Sequence, residues 1–187
     1  MAEAAGAFLA WLGMSVVVLA DGRRGLALGI VLATAGLAVI AFQGAGPIAA
    51  AALGVGGAAA ALTRLTHGPS GWRVMPPGST PRLVLCVAAG ILALWIAFSA
   101  TTGGDGALRF AILMVLGLGV ARVLTSDEPS TLLTAVALLA LGVAATAGIG
   151  SVSHSPGVVT RIEWPYIFGA LLAALAGWLP VRTANVA

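Results

Sequence analysis

The feature that most constrains this chain is a series of seven apolar runs separated by short polar or Gly/Pro-rich breaks. The runs cover approximately residues 4–20, 25–43, 47–65, 83–101, 107–125, 131–150 and 166–180. At a rise of 1.5 Å per residue, a helix of about 20 residues spans the hydrocarbon core of a bilayer, which is about 30 Å thick. The runs therefore predict about seven transmembrane helices.

The composition points to the same solvent. Hydrophobic residues make up 60% of the chain and charged residues only 8%, whereas soluble domains carry about 25% charged residues. Such a chain cannot cover a water-facing surface, but it suits helices that face lipid. We therefore predict an all-α integral membrane protein, with residues 1–187 forming a single membrane domain. The basic residues are dispersed between the runs and form no stripe, so nucleic acid is not an expected partner.

The N-terminal run has two interpretations. It ends in Val18-Leu19-Ala20, which is similar to a signal-peptidase site. A secretory signal begins with a basic segment, however, and the early charge here is the acidic Glu3. We interpret this run as the first transmembrane helix.

The arginines predict an orientation. One side of the predicted bundle receives Arg23, Arg24, Arg64, Arg73, Arg82, Arg122 and Arg182. The other side receives Arg109 and Arg161. Cytoplasmic loops carry the excess of basic residues. The sequence therefore predicts a multi-pass inner-membrane protein with its N-terminus outside and its C-terminus in the cytoplasm.

A shift of the sequence by 84 residues indicates an internal duplication. The shift pairs Trp11 with Trp95, Ser15 with Ser99, Asp21 with Asp105 and Gly22 with Gly106. The candidate units are residues 1–80 and 83–166, followed by an extra helix at 166–180. Three helices cross the membrane an odd number of times, so the second unit would be inverted, as in many transporters. This layout is similar to that of the trimeric intracellular cation channels, although the second helix here lacks that family's triple-glycine motif.

Small residues recur at four-residue spacing in several runs. The faces that they form are Gly25, Gly29 and Ala33; Ala50, Gly54 and Ala58; and Gly117 and Ala121. Small residues let helix backbones approach closely in lipid. We expect these faces, and the single Cys86, to be packed inside the bundle. We also expect Trp164 and Tyr166 to lie in the outer interfacial belt and Trp178 in the inner one.

Four residues are candidates for the mouths of a transport pathway: His67, His154, Asp21 and Asp105. Each His follows the third helix of its unit and precedes a Pro by two residues. Such a His either gates the pathway by titration or caps the helix end. The Asp residues either bind cations or form local ion pairs. Those pairs would join Asp21 to Arg23 or Arg24, and Asp105 to Arg109.

The remaining chemistry is sparse. All six acidic residues fall at predicted helix ends or in loops, and the sequence offers no nucleophile with its base and no metal-binding motif. We therefore expect no catalytic, cofactor-binding or metal-binding residues, and no enzyme activity. The sequence favours a channel, facilitator or transporter for a small solute or ion. The alternative is a non-catalytic accessory subunit. Either function is compatible with a homo-oligomer or with other membrane subunits as partners.

Overall fold

The fold is entirely helical in the part of the chain that the structure describes. This structure is a computed structural model that describes residues 1–67, 70–75, 79–99, 105–126, 128–149 and 163–179. The helices are α1 (Ala2–Leu19), α2 (Arg23–Gly44), α3 (Pro47–Thr66), α4 (Thr80–Ser99), α5 (Gly106–Thr125), α6 (Pro129–Ala145) and α7 (Trp164–Trp178), with a 3₁₀ turn at Thr146–Gly148 after α6. These bounds lie within a few residues of the predicted runs.

Six of the helices are long and apolar enough to cross a membrane, counting the 3₁₀ turn with α6. The helix α7 has 15 residues and is shorter than such a span. Pro47 and Pro129 stand at the first positions of α3 and α6, where a missing backbone N–H costs nothing. The predicted all-helical fold is confirmed, with six helices of membrane-spanning length among the seven.

Successive helices alternate in direction, so the bundle has two ends. At one end, α1, α3, α5 and α7 finish and α2, α4 and α6 begin. This arginine end carries Arg64, Arg82 and Arg122. The opposite end, called here the vestibule end, carries Glu3 and Asp105. The three arginines that the sequence placed on one side therefore lie at one end of the bundle.

Glycines bring α1 and α2 into backbone contact. A Cβ atom on Gly13 would lie closer than 3.0 Å to the backbone of Ala33 and of Gly29. Further along the same interface, a Cβ atom on Gly36 would approach the backbone of Gly6. Only glycine at these positions allows the backbones of α1 and α2 to come so close. The short distance between the backbones gives dispersion contacts along both helices. The predicted packing role of the small face on α2 is confirmed.

The other two small faces are oriented differently from the prediction. A Cβ atom on Gly54 or on Gly117 would meet no atom within 4 Å in the described structure. The helix α3 instead packs through the adjacent Gly56 and Gly57, against Ala170 and Thr34 respectively. Each turn of α3 carries small residues on several faces, so the four-residue spacing alone did not identify the buried one.

The helix α4 lies at the periphery of the bundle. Its fully buried residues are Cys86, Ala93 and Ala97, which occupy one narrow stripe facing α1 and α5. Large residues on its other faces, such as Ile91 and Trp95, are exposed. Cys86 is buried as predicted. A helix with this pattern needs an apolar solvent or a partner around most of its circumference.

The interfacial aromatic residues follow the prediction only in part. Trp164 and Trp178 are exposed, but Tyr166 is buried, with 4% of its surface accessible. Side chains two positions apart in a helix point in directions that differ by about 200°, so Tyr166 faces away from the side that carries Trp164. Tyr166 therefore belongs to the interior and not to an outer belt.

The proposed duplication places its two Trp residues in different surroundings. Trp11 is half-buried and donates a hydrogen bond to the Cys86 carbonyl, whereas Trp95 is exposed. In addition, α1 packs extensively on α5, while no comparable contact joins α4 and α2 among the described residues. The inverted repeat of residues 1–80 and 83–166 stays a prediction.

Candidate functional sites at the two ends of the bundle

Asp21 is the centre of an ion-pair cluster at the arginine end. It follows α1 directly, and its carboxylate accepts hydrogen bonds from Arg82 Nη1 at 3.2 and 3.3 Å. Arg122 Nη2 donates to the same carboxylate and to the carbonyl oxygen of Ala20, the latter at 3.0 Å. The three charged side chains form what we call the Asp21 cluster, which joins α1, α4 and α5.

The predicted partners of Asp21 were wrong. Arg23 and Arg24 begin α2 and do not pair with Asp21, although they lie close to it in sequence. Arg122 is only 1% exposed, and a buried guanidinium left without a counter-charge is costly. Burial, not proximity along the chain, therefore accounts for the pairing.

The arginines of the cluster keep Asp21 ionised. Partial burial raises the pKa of its carboxyl, but the hydrogen bond and charge of Arg122, together with the charge of Arg82, more than offset this effect. The pKa of Asp21 therefore lies below its ordinary value, so the group carries its charge at neutral pH. Asp21 acts as a fixed charge there and not as a proton sensor.

A second buried arginine links three helix ends. Arg64, near the end of α3, is 1% exposed. Its Nη1 donates to the Ser130 carbonyl at 3.1 Å and its Nη2 to the Gly177 carbonyl at 2.8 Å. Within the described residues, no carboxylate forms a salt bridge with Arg64. The carbonyls near the ends of α3 and α7 carry partial negative charge, which favours a cation at this position.

These two buried arginines are functional candidates that the sequence interpretation missed. It used Arg64, after the third predicted helix, and Arg122, at the end of the fifth, only to orient the chain. Both residues in fact stand in the last turn of a helix. That position was the available signal, because a long side chain there can reach back into the bundle or out to the interface.

We expect Arg64→Lys to destabilise the protein by about 1–2 kcal/mol, since hydrogen bonds to charged groups contribute on that scale. An ammonium group is a single point and does not span the two carbonyls that the planar guanidinium reaches. Thermal unfolding of the purified protein in detergent measures the effect. The matched control is Arg24→Lys, because Arg24 is exposed at the same end. Equal effects of the two substitutions would contradict the bridging role.

The opposite end of the bundle contains a small cavity, called here the vestibule. It has a volume of about 60 Å³ and lies where α1, α2, α5, α6 and α7 converge. Its polar side chains are those of Glu3, Asp105 and Tyr166. Glu3 lies in the first turn of α1 and Asp105 is the N-cap residue of α5, positions where the helix dipole favours a carboxylate.

Asp105 is among the residues that line the vestibule, and its role at the mouth of a transport pathway stays a prediction. Its backbone carbonyl accepts a hydrogen bond from the Arg109 backbone N–H at 3.0 Å, which belongs to the first turn of α5. Asp21 lies at the other end of the bundle. Asp21 and Asp105 therefore lie at opposite ends of the bundle and not in one site.

His67 caps the end of α3. Its Nδ1 lies 3.1 Å from the Thr63 carbonyl oxygen and 2.8 Å from Thr66 Oγ1. The side chain is exposed and does not line the vestibule. This geometry supports the capping role over the gating role for His67. His154 lies outside the described residues.

We expect His67→Ala to lower the free energy of unfolding by less than about 1 kcal/mol, the loss of one exposed hydrogen bond. We also expect it to leave the pH dependence of any flux between about pH 5.5 and 8 unchanged. Solute flux into proteoliposomes, measured across that range, tests the second part. A pH profile that flattens in the variant would instead support gating by His67.

Both sites consist of charged or polar side chains at an end of the bundle. Within the described residues, no group of three His, Cys, Asp or Glu side chains could hold a metal ion. The Asp21 cluster offers fixed charges, and the vestibule offers two carboxylates beside a small space. No protein-family model, curated protein or solved structure matches the chain.

Proposed function

We propose that the protein is a membrane transport protein, a channel or facilitator for a small cation or a solute of similar size. The observation that carries this proposal is the vestibule, a small and mostly apolar space where five of the helices converge, with the carboxylates of Glu3 and Asp105 in its lining. Acidic groups beside a space between membrane-spanning helices are candidates for a transport pathway. The entrance of the pathway would lie between Glu3 and Asp105.

The size and charge of the vestibule restrict the solute. A volume of about 60 Å³ accommodates a few water molecules. Two carboxylates at the entrance raise the local concentration of cations and lower that of anions. A small monovalent metal ion fits both conditions.

The Asp21 cluster would close the pathway at the opposite end. It ties α1, α4 and α5 together through one carboxylate and two guanidinium groups. Release of these ion pairs would free α4, which has few other buried residues. Interfaces that open and close by exchanging ion pairs are a common means of gating. In this proposal, the conducting state differs from the present structure at the arginine end.

Cation flux into proteoliposomes tests the proposal. We expect potassium or sodium flux from the wild-type protein, and a marked loss of it in Glu3→Gln and in Asp105→Asn. The control is Glu128→Gln, which removes an exposed carboxylate beside α6 at the arginine end. Absence of wild-type flux, or an equal loss in the control, would contradict the proposal.

The second candidate is an accessory subunit of a larger membrane complex. It is favoured by the outward face of α3, where Ala50, Gly54 and Ala58 form a small-residue stripe and a Cβ atom at Gly54 would meet no atom of the described residues within 4 Å. Such stripes allow a partner helix to approach closely, either from a second copy or from another polypeptide. Purification under mild detergent conditions distinguishes the candidates. A constant companion polypeptide favours the subunit function, and a homogeneous homo-oligomer with cation flux favours transport.

We further propose an inner-membrane location with the N-terminus outside, based on the arginines at one end of the bundle. Cysteine labelling tests this orientation in a Cys86→Ser background. We expect Glu3→Cys to react with an impermeant reagent in spheroplasts with an intact inner membrane, and Arg24→Cys to react only after that membrane is permeabilised. The reverse pattern would contradict the orientation.

A further inference from the structure

An apolar crevice opens between α1, α4 and α5 in the half of the bundle nearer the vestibule end. Its volume is about 480 Å³, within the range of small-molecule sites. Flat and branched side chains form its walls, among them Phe8 and Trp11 on α1, Leu94 and Phe98 on α4, and Phe110 on α5. It shares no lining residue with the vestibule.

The described residues that line the crevice offer an occupant no free polar side chain. Trp11 supplies the one side-chain donor among the lining residues. Its indole Nε1–H is already directed to the Cys86 carbonyl oxygen at 3.3 Å. An ion or a polar solute would lose its hydration here without compensation. The chemical complement of this surface is therefore an uncharged hydrocarbon.

We propose that the crevice binds one acyl chain of a membrane phospholipid. The crevice is formed by helices of membrane-spanning length, so the surrounding solvent is lipid and not water. Its volume of about 480 Å³ equals that of about sixteen water molecules. A methylene group is slightly smaller than a water molecule, so an ordinary acyl chain fills this space.

The absence of a side chain at Gly90 leaves room for the Trp11 ring in the crevice wall, because a Cβ atom at position 90 would lie 2.8 Å from Trp11 Nε1. The bound chain would supply the contacts that α4 lacks, since α4 buries only three residues fully against the rest of the described protein.

Tryptophan quenching by brominated lipid tests the proposal on the full-length chain. Two variants each retain one Trp, either Trp11 in the crevice or Trp95 on the exposed surface of α4, with the other Trp residues replaced by Phe. Each is reconstituted with a phospholipid brominated on its acyl chains and then purified in detergent without brominated lipid. We expect Trp11 to stay quenched after this exchange and Trp95 to recover its fluorescence. Recovery of both to the same extent would overturn the proposal.

A filled crevice supplies the second arm of the test. Ala107→Phe places a ring among the lining residues, whereas Ala51→Phe places one on the exposed surface of α3. We expect retained quenching of Trp11 to be lost in the first variant and kept in the second. Native mass spectrometry of the otherwise wild-type protein identifies the occupant. One phospholipid per chain supports the proposal, and an isoprenoid, a free fatty acid or no bound mass overturns it.

Discussion

Asp21→Ala is expected to lower the free energy of unfolding by about 3 kcal/mol, the lower end of the cost of breaking a buried ion pair. The lower end applies because the Asp21 side chain is 35% exposed, so solvent screens part of the interaction. The cost arises from Arg122, which stays 1% exposed but loses its carboxylate partner. Thermal or denaturant unfolding in detergent measures the change.

The control for this prediction removes the buried charge as well. In the double variant Asp21→Ala, Arg122→Met, no uncompensated guanidinium remains, and an apolar side chain of similar length fills its place. We expect the double variant to recover much of the lost stability. A double variant as unstable as Asp21→Ala would show that the cost does not come from the unpaired Arg122.

The same carboxylate gives stability a specific dependence on pH. Because the pKa of Asp21 is lower in the folded protein than its ordinary value near 3.9, the folded state binds the proton less readily than the unfolded state. The stabilisation is therefore fully present above the ordinary pKa and is lost as the pH falls through the lowered one. We expect the melting temperature to decline below about pH 4. In Asp21→Asn this acid-dependent decline should be reduced.

Gly13→Ala is expected to destabilise the protein by about 2–3 kcal/mol, the upper part of the usual cost of overpacking. The added Cβ atom would lie closer than 3.0 Å to the backbone of Ala33 on α2, and backbone atoms do not have the freedom of a flexible side chain. The two helices must separate, which weakens dispersion contacts along their whole interface. Unfolding in detergent measures this loss.

The matched control is Gly54→Ala on α3. Gly54 is also a helical glycine, but a Cβ atom there meets no atom within 4 Å in the described structure. We expect a change within about 0.5 kcal/mol, as for substitutions that disturb no specific contact. A large loss at Gly54 would instead indicate that a partner helix covers this face in the purified protein.

The helices were predictable because their causes are local. A run such as 25–43 is apolar over the length of a bilayer, and that property belongs to the run itself. The breaks were equally local, since Pro47 and Pro129 begin helices and do not continue them. The short α7 corresponds to the run 166–180, which is the shortest of the seven, and its 15 residues fall below membrane-spanning length.

The candidate sites were predictable only in part. The sequence alone identifies Asp21 and Asp105 as acidic residues at helix ends and His67 as a residue that can cap a helix. The partners of Asp21 did not follow, because Arg82 and Arg122 lie 61 and 101 residues away along the chain. Ion pairs over such distances depend on which helices become neighbours.

The sequence by itself determined the apolar character of the helices, their number and approximate bounds, and the grouping of Arg64, Arg82 and Arg122 at one end. These properties follow from hydrophobicity and length, which each segment carries independently of its neighbours. Tertiary structure alone decided that Gly13 and Gly29 are packed while Gly54 is not, and that two arginines are buried. The physical reason is that lipid and protein interior are almost equally apolar, so hydrophobicity does not distinguish the inward face of a helix from its outward face. Close packing and hydrogen bonding between particular helices make that distinction.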